Sequence, residues 1–202
     1  SDLKNTNMKL TTFERGGKQS YGAVVGEGIF DLGGRFADLR ALLTADGLDG
    51  TRATLRGVKP DFDLNEVAFL PVIPNPDKIL CVGLNYETHR AETGRPATEH
   101  PAIFTRFADT QIGHEQPIVR PHVSSQLDYE GELAVIIGRG GRYIPESQAL
   151  GHIAGYACYS DVTVRDWQRH TPQFTPGKNL PATGAFGPWM GTAEEIGDPR
   201  NL

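Results

Sequence analysis

Glu130 and Glu132 stand two residues apart in Asp128-Tyr129-Glu130-Gly131-Glu132, directly ahead of the apolar run Leu133-Ala134-Val135-Ile136-Ile137. On a strand, side chains two apart share a face, roughly 7 Å from each other. The pair would sit at the mouth of a buried strand, where two carboxylates repel and lose hydration. A hard divalent cation bound through oxygen relieves both penalties. The ordinary alternative is a solvated strand end whose acids face water. Asp161 adds a third carboxylate, after the apolar stretch 153–159 and where Ser160-Asp161-Val162-Thr163-Val164-Arg165-Asp166-Trp167-Gln168 begins to read as a helix. Asp161, Arg165 and Gln168, at i, i+4 and i+7, would share one helical face. That suits a metal plus an anionic substrate. A capping role for Ser160, Asp161 or Thr163, with Asp166 supporting the helix start, is the alternative.

His89 and Glu92 form a second constellation. At i, i+3 on a short helix the carboxylate can orient the imidazole, as a general base needs; plain exposure is the alternative. Lys178, in Thr175-Pro176-Gly177-Lys178-Asn179-Leu180, is held between Pro176 and Pro181 in a loop stiff enough to aim it at a substrate oxygen. Surface exposure is the commoner fate of a loop lysine. His100, His114, His122, His152 and His170 show no metal-ligand spacing.

These groups need elements to hold them. Residues 8–70 read as a small α+β unit: strands at 9–14, 21–25 and 28–32, and a helix over 36–44 with Phe36, Leu39, Leu42 and Leu43 at helical spacing. Residues 71–76 carry three prolines, so they read as a linker and mark the domain boundary. Residues 77–202 then supply strands at 78–83, around Phe104, at 132–137 and at 153–159. These are apolar enough on both faces to imply a sheet covered on both sides, or a closed β-structure. Gly138-Arg139-Gly140-Gly141 lacks the third glycine of a dinucleotide fingerprint and reads as a turn.

At 202 residues, with 38% hydrophobic and 22% charged residues, the chain can bury a sizeable core. A formal net charge of −5 argues against general affinity for nucleic acid or anionic membranes. No apolar run approaches a membrane span, and residues 1–10 lack the apolar core of a signal peptide. Residues 1–7 read as a polar leader ahead of Met8. Cys81 and Cys158, both in apolar contexts, suit reduced, buried thiols and a cytoplasmic setting.

In this order, the pieces resemble the fumarylacetoacetate hydrolase family. The resemblance rests on Lys78-Ile79-Leu80-Cys81-Val82-Gly83-Leu84-Asn85-Tyr86 with His89 and Glu92; on Asp128 to Gly138; on Ser160 to Gln168; and on Gly177-Lys178-Asn179 followed by Gly187-Pro188-Trp189. It is close over residues 77–202 and loose before them. It implies a β-rich mixed α/β fold with a central β-roll behind a small N-terminal α+β domain, assembled as a homodimer. It further implies a Mg²⁺, Mn²⁺ or Ca²⁺ ion on Glu130, Glu132 and Asp161, and a lid pair at His89 and Glu92. Arg165, Gln168 and Lys178 would contact substrate, with Thr183 as a further contact although Pro181-Ala182 departs from the commoner spacing. The implied substrate is a 2-oxo or 1,3-dioxo acid. The expected reaction is metal-dependent hydrolysis of a carbon–carbon bond in an acylpyruvate-like compound, His89 activating water and Lys178 stabilising the enolate. Isomerisation, tautomerisation or decarboxylation of 2-oxo dioic acids is the alternative, and a non-catalytic metal-binding member the next. The family's roll continues for dozens of residues past Gly-Pro-Trp, so either the sequence is a truncated record or the C-terminal part of the core is missing; a truly truncated chain is expected to have poor solubility and no activity.

Overall fold

The computed structural model describes residues 8–45, 47–86 and 99–202. Its architecture is strand-rich mixed α/β. The first strands are β1 (Lys9–Arg15), β2 (Lys18–Val25) and β3 (Gly28–Asp31), joined by tight turns. Gly16 and Gly17 make the first turn at φ +57° and +75°, a region glycine enters without steric cost. Helix α1 (Leu39–Thr44) follows. It starts three residues later than the expected 36–44 because Asp38 caps it, accepting from the Ala41 amide at 2.7 Å. Leu39, Leu42 and Leu43 are buried as their spacing demands, while Phe36 stays outside the helix. After α2 (Leu48–Thr54) come the short strands β4 (Phe62–Asp63) and β5 (Ala68–Phe69).

Among the described residues β6 (Ile79–Gly83) pairs antiparallel only with β7 (Ala102–Arg106), as a separate two-stranded ribbon. β8 (Gln111–Ile112), β9 (Leu127–Asp128), β10 (Gly131–Ile137), β11 (Ile153–Asp161), β12 (Thr163–Val164), β13 (Gly184–Phe186) and β14 (Met190–Thr192) complete the set. The main sheet runs β4-β3-β2-β1-β14-β11-β13-β8, with β10 on β11 and β5 on β1. Every ladder in it is antiparallel except β13 with β8.

One sheet and one core therefore run across the boundary expected at 71–76. β1 joins β14 at Lys9↔Gly191 and Leu10↔Met190, and the core packs Leu10, Leu42 and Tyr21 with Ala157, Phe186 and Met190. The prolines of 71–76 do keep that stretch irregular. It is tucked in all the same: Val72 and Ile73 are buried, and the Val72 carbonyl accepts from Thr12 Oγ1 at 2.8 Å.

Two expectations need correction. β10 is not covered on both faces. Strand alternation puts Ala134 and Ile136 toward the core and leaves Leu133, Val135 and Ile137 exposed. β6 likewise exposes Leu80 and Val82. Cys158 sits opposite Leu133 on that same open face and is exposed, whereas Cys81 is half-buried; both are free thiols. Among the described residues no helix is long and apolar enough to cross a membrane.

Candidate active site

Strand register gathers the acids. Glu130 immediately precedes β10, and its carbonyl accepts from the Asp161 amide at 2.9 Å. Glu132 lies opposite Tyr159 on β11, two residues before Asp161 and on the same face. The chain then enters β12, which pairs Thr163 with Asp128 and Val164 with Leu127. A single helical turn, Arg165–Gln168, begins only after Val164. The expected helical face shared by Asp161, Arg165 and Gln168 is therefore wrong, and so is a capping role for Ser160, Asp161 or Thr163. Asp161 is extended backbone, and β12 intervenes before the turn.

Lys178 ends a second helical turn, Thr175–Lys178, opened by Pro176. Gly177 is what lets this turn lie against the first: a Cβ there would come within 2.5 Å of the Gln168 amide nitrogen. The loop lysine is consequently among the most buried side chains of the protein. Its Nζ donates to Glu130 Oε2 and Asp161 Oδ2, both at 2.7 Å, and to the Asp161 carbonyl at 3.2 Å. The Phe104 ring, on β7, lies 5.1 Å from it.

Glu130 and Asp161 each divide their two oxygens between cations. Glu130 Oε1 meets Arg165 Nη1 at 2.6 Å and accepts from Thr163 Oγ1 at 3.0 Å. Asp161 Oδ1 accepts from Arg106 Nη1 at 2.7 Å. Arg165 also grips Asp128 Oδ2 through Nη2 at 2.7 Å and donates to Gln168 Oε1 at 3.2 Å. Burial would raise the Glu130 carboxyl, but Lys178 and Arg165 outweigh it and hold the group below the usual range. Glu132 goes the other way, pushed up by burial and then by the neighbouring Glu130 and Asp161 charges. Among the described residues it forms no ion pair of its own. Three cations (Arg106, Arg165, Lys178) thus face four carboxylates (Asp128, Glu130, Glu132, Asp161), one negative charge in excess.

Among the described residues, no three His, Cys, Asp or Glu side chains close on one point as a finished metal cage would. Glu130 and Asp161 meet through the Lys178 ammonium instead. The donor chemistry nonetheless fits a hard divalent cation: Glu130, Glu132 and Asp161 line one wall of the same cleft, and Glu132 feels the other two as repulsion. An open cleft of about 2000 Å³ reaches this cluster, with Glu130, Glu132, Asp161, Arg165, Gln168 and Lys178 on its wall.

Thr183 is placed behind that wall. Its hydroxyl donates to the Leu180 carbonyl and accepts from Arg106 Nη2 at 2.8 Å. His89 and Glu92 lie outside the described residues. Sequence reasoning missed Arg106 altogether, although one signal was present: an arginine two residues from Phe104 in an apolar strand must share its inward face.

A family model described as fumarylacetoacetate (FAA) hydrolase C-terminal matches residues 78–202. The chain is 36% identical over 186 residues to oxaloacetate tautomerase FAHD2A, mitochondrial, of Bos taurus, covering 88% of this chain and 59% of that protein. It is 43% identical over 146 residues to oxaloacetate tautomerase YisK of Bacillus subtilis, covering 70% and 48%. It thus spans about half to three fifths of these curated relatives. Among solved structures, a fumarylacetoacetate hydrolase from Exiguobacterium antarcticum superposes with TM-score 0.73 at 33% identity, covering 95% of this chain and 69% of that one. A 5-carboxymethyl-2-hydroxymuconate delta-isomerase from Mycobacterium smegmatis gives 0.69 at 27%, covering 92% and 67%.

Proposed function

The chain belongs to the fumarylacetoacetate hydrolase family, and on that footing we propose that its site interconverts keto and enol forms of a small 2-oxo dioic acid. The observation that carries the reading is the Lys178 ammonium, buried between Glu130 and Asp161 at the wall of the cleft and flanked by Arg165. A proton leaving the carbon next to a 2-oxo group puts negative charge on the carbonyl oxygen. Preorganised cations in a site of low dielectric stabilise that charge most strongly. Arg165, held by Asp128 and Glu130, presents a fixed guanidinium to a substrate carboxylate, and Gln168 extends the same edge.

Glu130, Glu132 and Asp161 would hold a divalent cation, Mg²⁺ first and Mn²⁺ or Ca²⁺ next. The chemistry such an ion supplies is Lewis-acid polarisation of a chelated 2-oxo acid. Its two charges would turn the excess of one negative charge into one positive, which favours an anionic substrate.

The names of the similar proteins support the tautomerase reading: two are oxaloacetate tautomerases and one a muconate isomerase. Carbon–carbon hydrolysis is the second reading, favoured by the hydrolase among the solved structures. It needs a base to activate water, for which His89 with Glu92 is the sequence-derived candidate. A homodimeric assembly is part of the same proposal.

Products separate the readings. Oxaloacetate, an acylpyruvate and an unsaturated 2-hydroxy dioic acid would each be incubated with Mg²⁺-loaded protein and followed by mass spectrometry and ultraviolet absorbance. An isomer of equal mass supports tautomerisation and two fragments support hydrolysis. No conversion of any of the three refutes both.

A further inference from the structure

Arg106 has no exposed side-chain surface, and its partner Asp161 has almost none. One planar fork serves four acceptors from three parts of the chain. Nη1 donates to Asp161 Oδ1 at 2.7 Å and to the Val162 carbonyl at 3.1 Å. Nη2 donates to Thr183 Oγ1 at 2.8 Å and to Thr110 Oγ1 at 3.4 Å. The fold makes room for this group. A Cβ at Gly184 would come 3.1 Å from Arg106 Nη2 and 2.3 Å from the Tyr159 hydroxyl, so a side chain there would crowd the guanidinium and displace the Tyr159 hydroxyl.

The consequence falls on Asp161. Its Oδ1 is committed to Arg106, and only Oδ2 turns toward Lys178 and Glu130. A free aspartate could rotate and present both oxygens, or swing away from the two neighbouring glutamates. This one is pinned from behind.

We propose that Arg106 is a positioning residue that fixes the orientation of Asp161, leaving it one oxygen, Oδ2, to offer to a cation at the site, and that braces Thr183 by the same fork. The assignment rests on the cation-assisted reading above and adds to it the geometry with which Asp161 can serve. Lysine cannot substitute, because an ammonium is a point charge without a planar fork that reaches several acceptors at once. Groups that orient a metal ligand typically govern affinity by about 10- to 100-fold when removed.

The test measures Mn²⁺ binding by titration calorimetry and by the electron paramagnetic resonance of free Mn²⁺, for the wild type, Arg106→Lys and Thr110→Val. Circular dichroism and thermal melting report folding alongside. Arg106→Lys keeps the buried charge and is expected to fold, yet bind Mn²⁺ about 10-fold or more weakly. Thr110→Val removes the longest of the Arg106 contacts, together with the 2.7 Å bond from Thr110 Oγ1 to the Phe107 carbonyl, but leaves the Arg106–Asp161 pair in place and is expected to bind within about twofold of wild type. A purely structural Arg106 would lower the melting temperature and leave Mn²⁺ affinity unchanged; that result overturns the inference. A crystal structure of the wild type with Mn²⁺ decides independently of whether the variant folds. Asp161 ligating through Oδ2, with Oδ1 still on Arg106, supports the inference, and bidentate Asp161 overturns it. Wild-type protein that binds no Mn²⁺ refutes the cation-assisted reading and this inference with it, whereas normal binding by Arg106→Lys refutes the inference alone.

Discussion

Two regions a few residues apart in sequence invert the usual distribution of polar and apolar groups. At the start of β10 and the end of β11, Glu130, Asp161, Lys178 and Arg106 are charged and mostly buried. Along the rest of β10 and the adjoining ribbon, Leu133, Val135, Ile137, Leu80 and Val82 are apolar and exposed. In the charged region each carboxylate oxygen of Glu130 and Asp161 has a donor, and of the Arg106 guanidinium only Nε is buried without an acceptor. The apolar region is the opposite: its side chains leave water only if something else covers them. Burial of charge is tolerable only with partners of this quality, because unpaired charges in a low dielectric cost several kcal/mol each. The difference teaches that the chemistry-bearing part of this chain is held from within, whereas its open β face is not.

The largest expected effect comes from breaking the first region. Lys178→Met leaves Glu130 and Asp161 facing each other without their shared cation. It should cost about 3–5 kcal/mol of stability in urea unfolding. Any enolisation rate should fall about 10²- to 10³-fold. A variant that keeps wild-type stability would show that the ammonium bridge is not what holds the two acids.

Next comes a pair of substitutions on neighbouring residues of β10. Ile136→Ala removes a buried side chain and should cost about 2–5 kcal/mol. Val135→Ala, on the open face, should stay within about 0.5 kcal/mol. Equal costs would mean that the open face is covered in solution.

The two thiols sharpen the same contrast. Burial, and then Asp161, push Cys81 up to about 12. Iodoacetamide at mildly alkaline pH should therefore label exposed Cys158 and spare Cys81, as read by peptide mass spectrometry. The sign for stability follows. The folded state keeps the Cys81 proton above the ordinary thiol value of 9.0, where the unfolded chain releases it. Stability should fall as pH rises from about 9 toward 12.

The smallest effect belongs to the surface. Arg15 and Glu66 form a half-exposed pair at 2.8 Å, and Arg15→Ala should have the smallest effect of these on urea unfolding, shrinking further with added salt.

Much of the site was legible in the sequence because it depends on local pattern. Period-two alternation placed Glu130 and Glu132 together at the start of β10, and an apolar stretch ahead of Asp161 put that residue at a strand end. The helical face was misread because Val162, Thr163 and Val164 are β-branched, and the last two pair with β9 before the chain can turn. Lys178 read as exposed by default, since nothing local says that Gly177 will press its turn onto Gln168. Arg106 escaped because its partner lies 55 residues away. The continuous sheet escaped for the same reason. The contact of β1 with β14 depends on register between distant strands, and no local signal carries it. Apolar content correctly gave β10 as a strand, yet it could not say whether a second layer covers both faces.

The most direct test of the central claim follows the keto–enol interconversion of oxaloacetate by ultraviolet absorbance, with mass spectrometry of the product. The wild type would be compared before and after chelator, after Mg²⁺ is restored, and with Lys178→Met. The account predicts interconversion at constant mass that chelation suppresses, Mg²⁺ restores and Lys178→Met lowers by about 10²-fold or more. Interconversion unaffected by both chelation and the loss of Lys178 would contradict it.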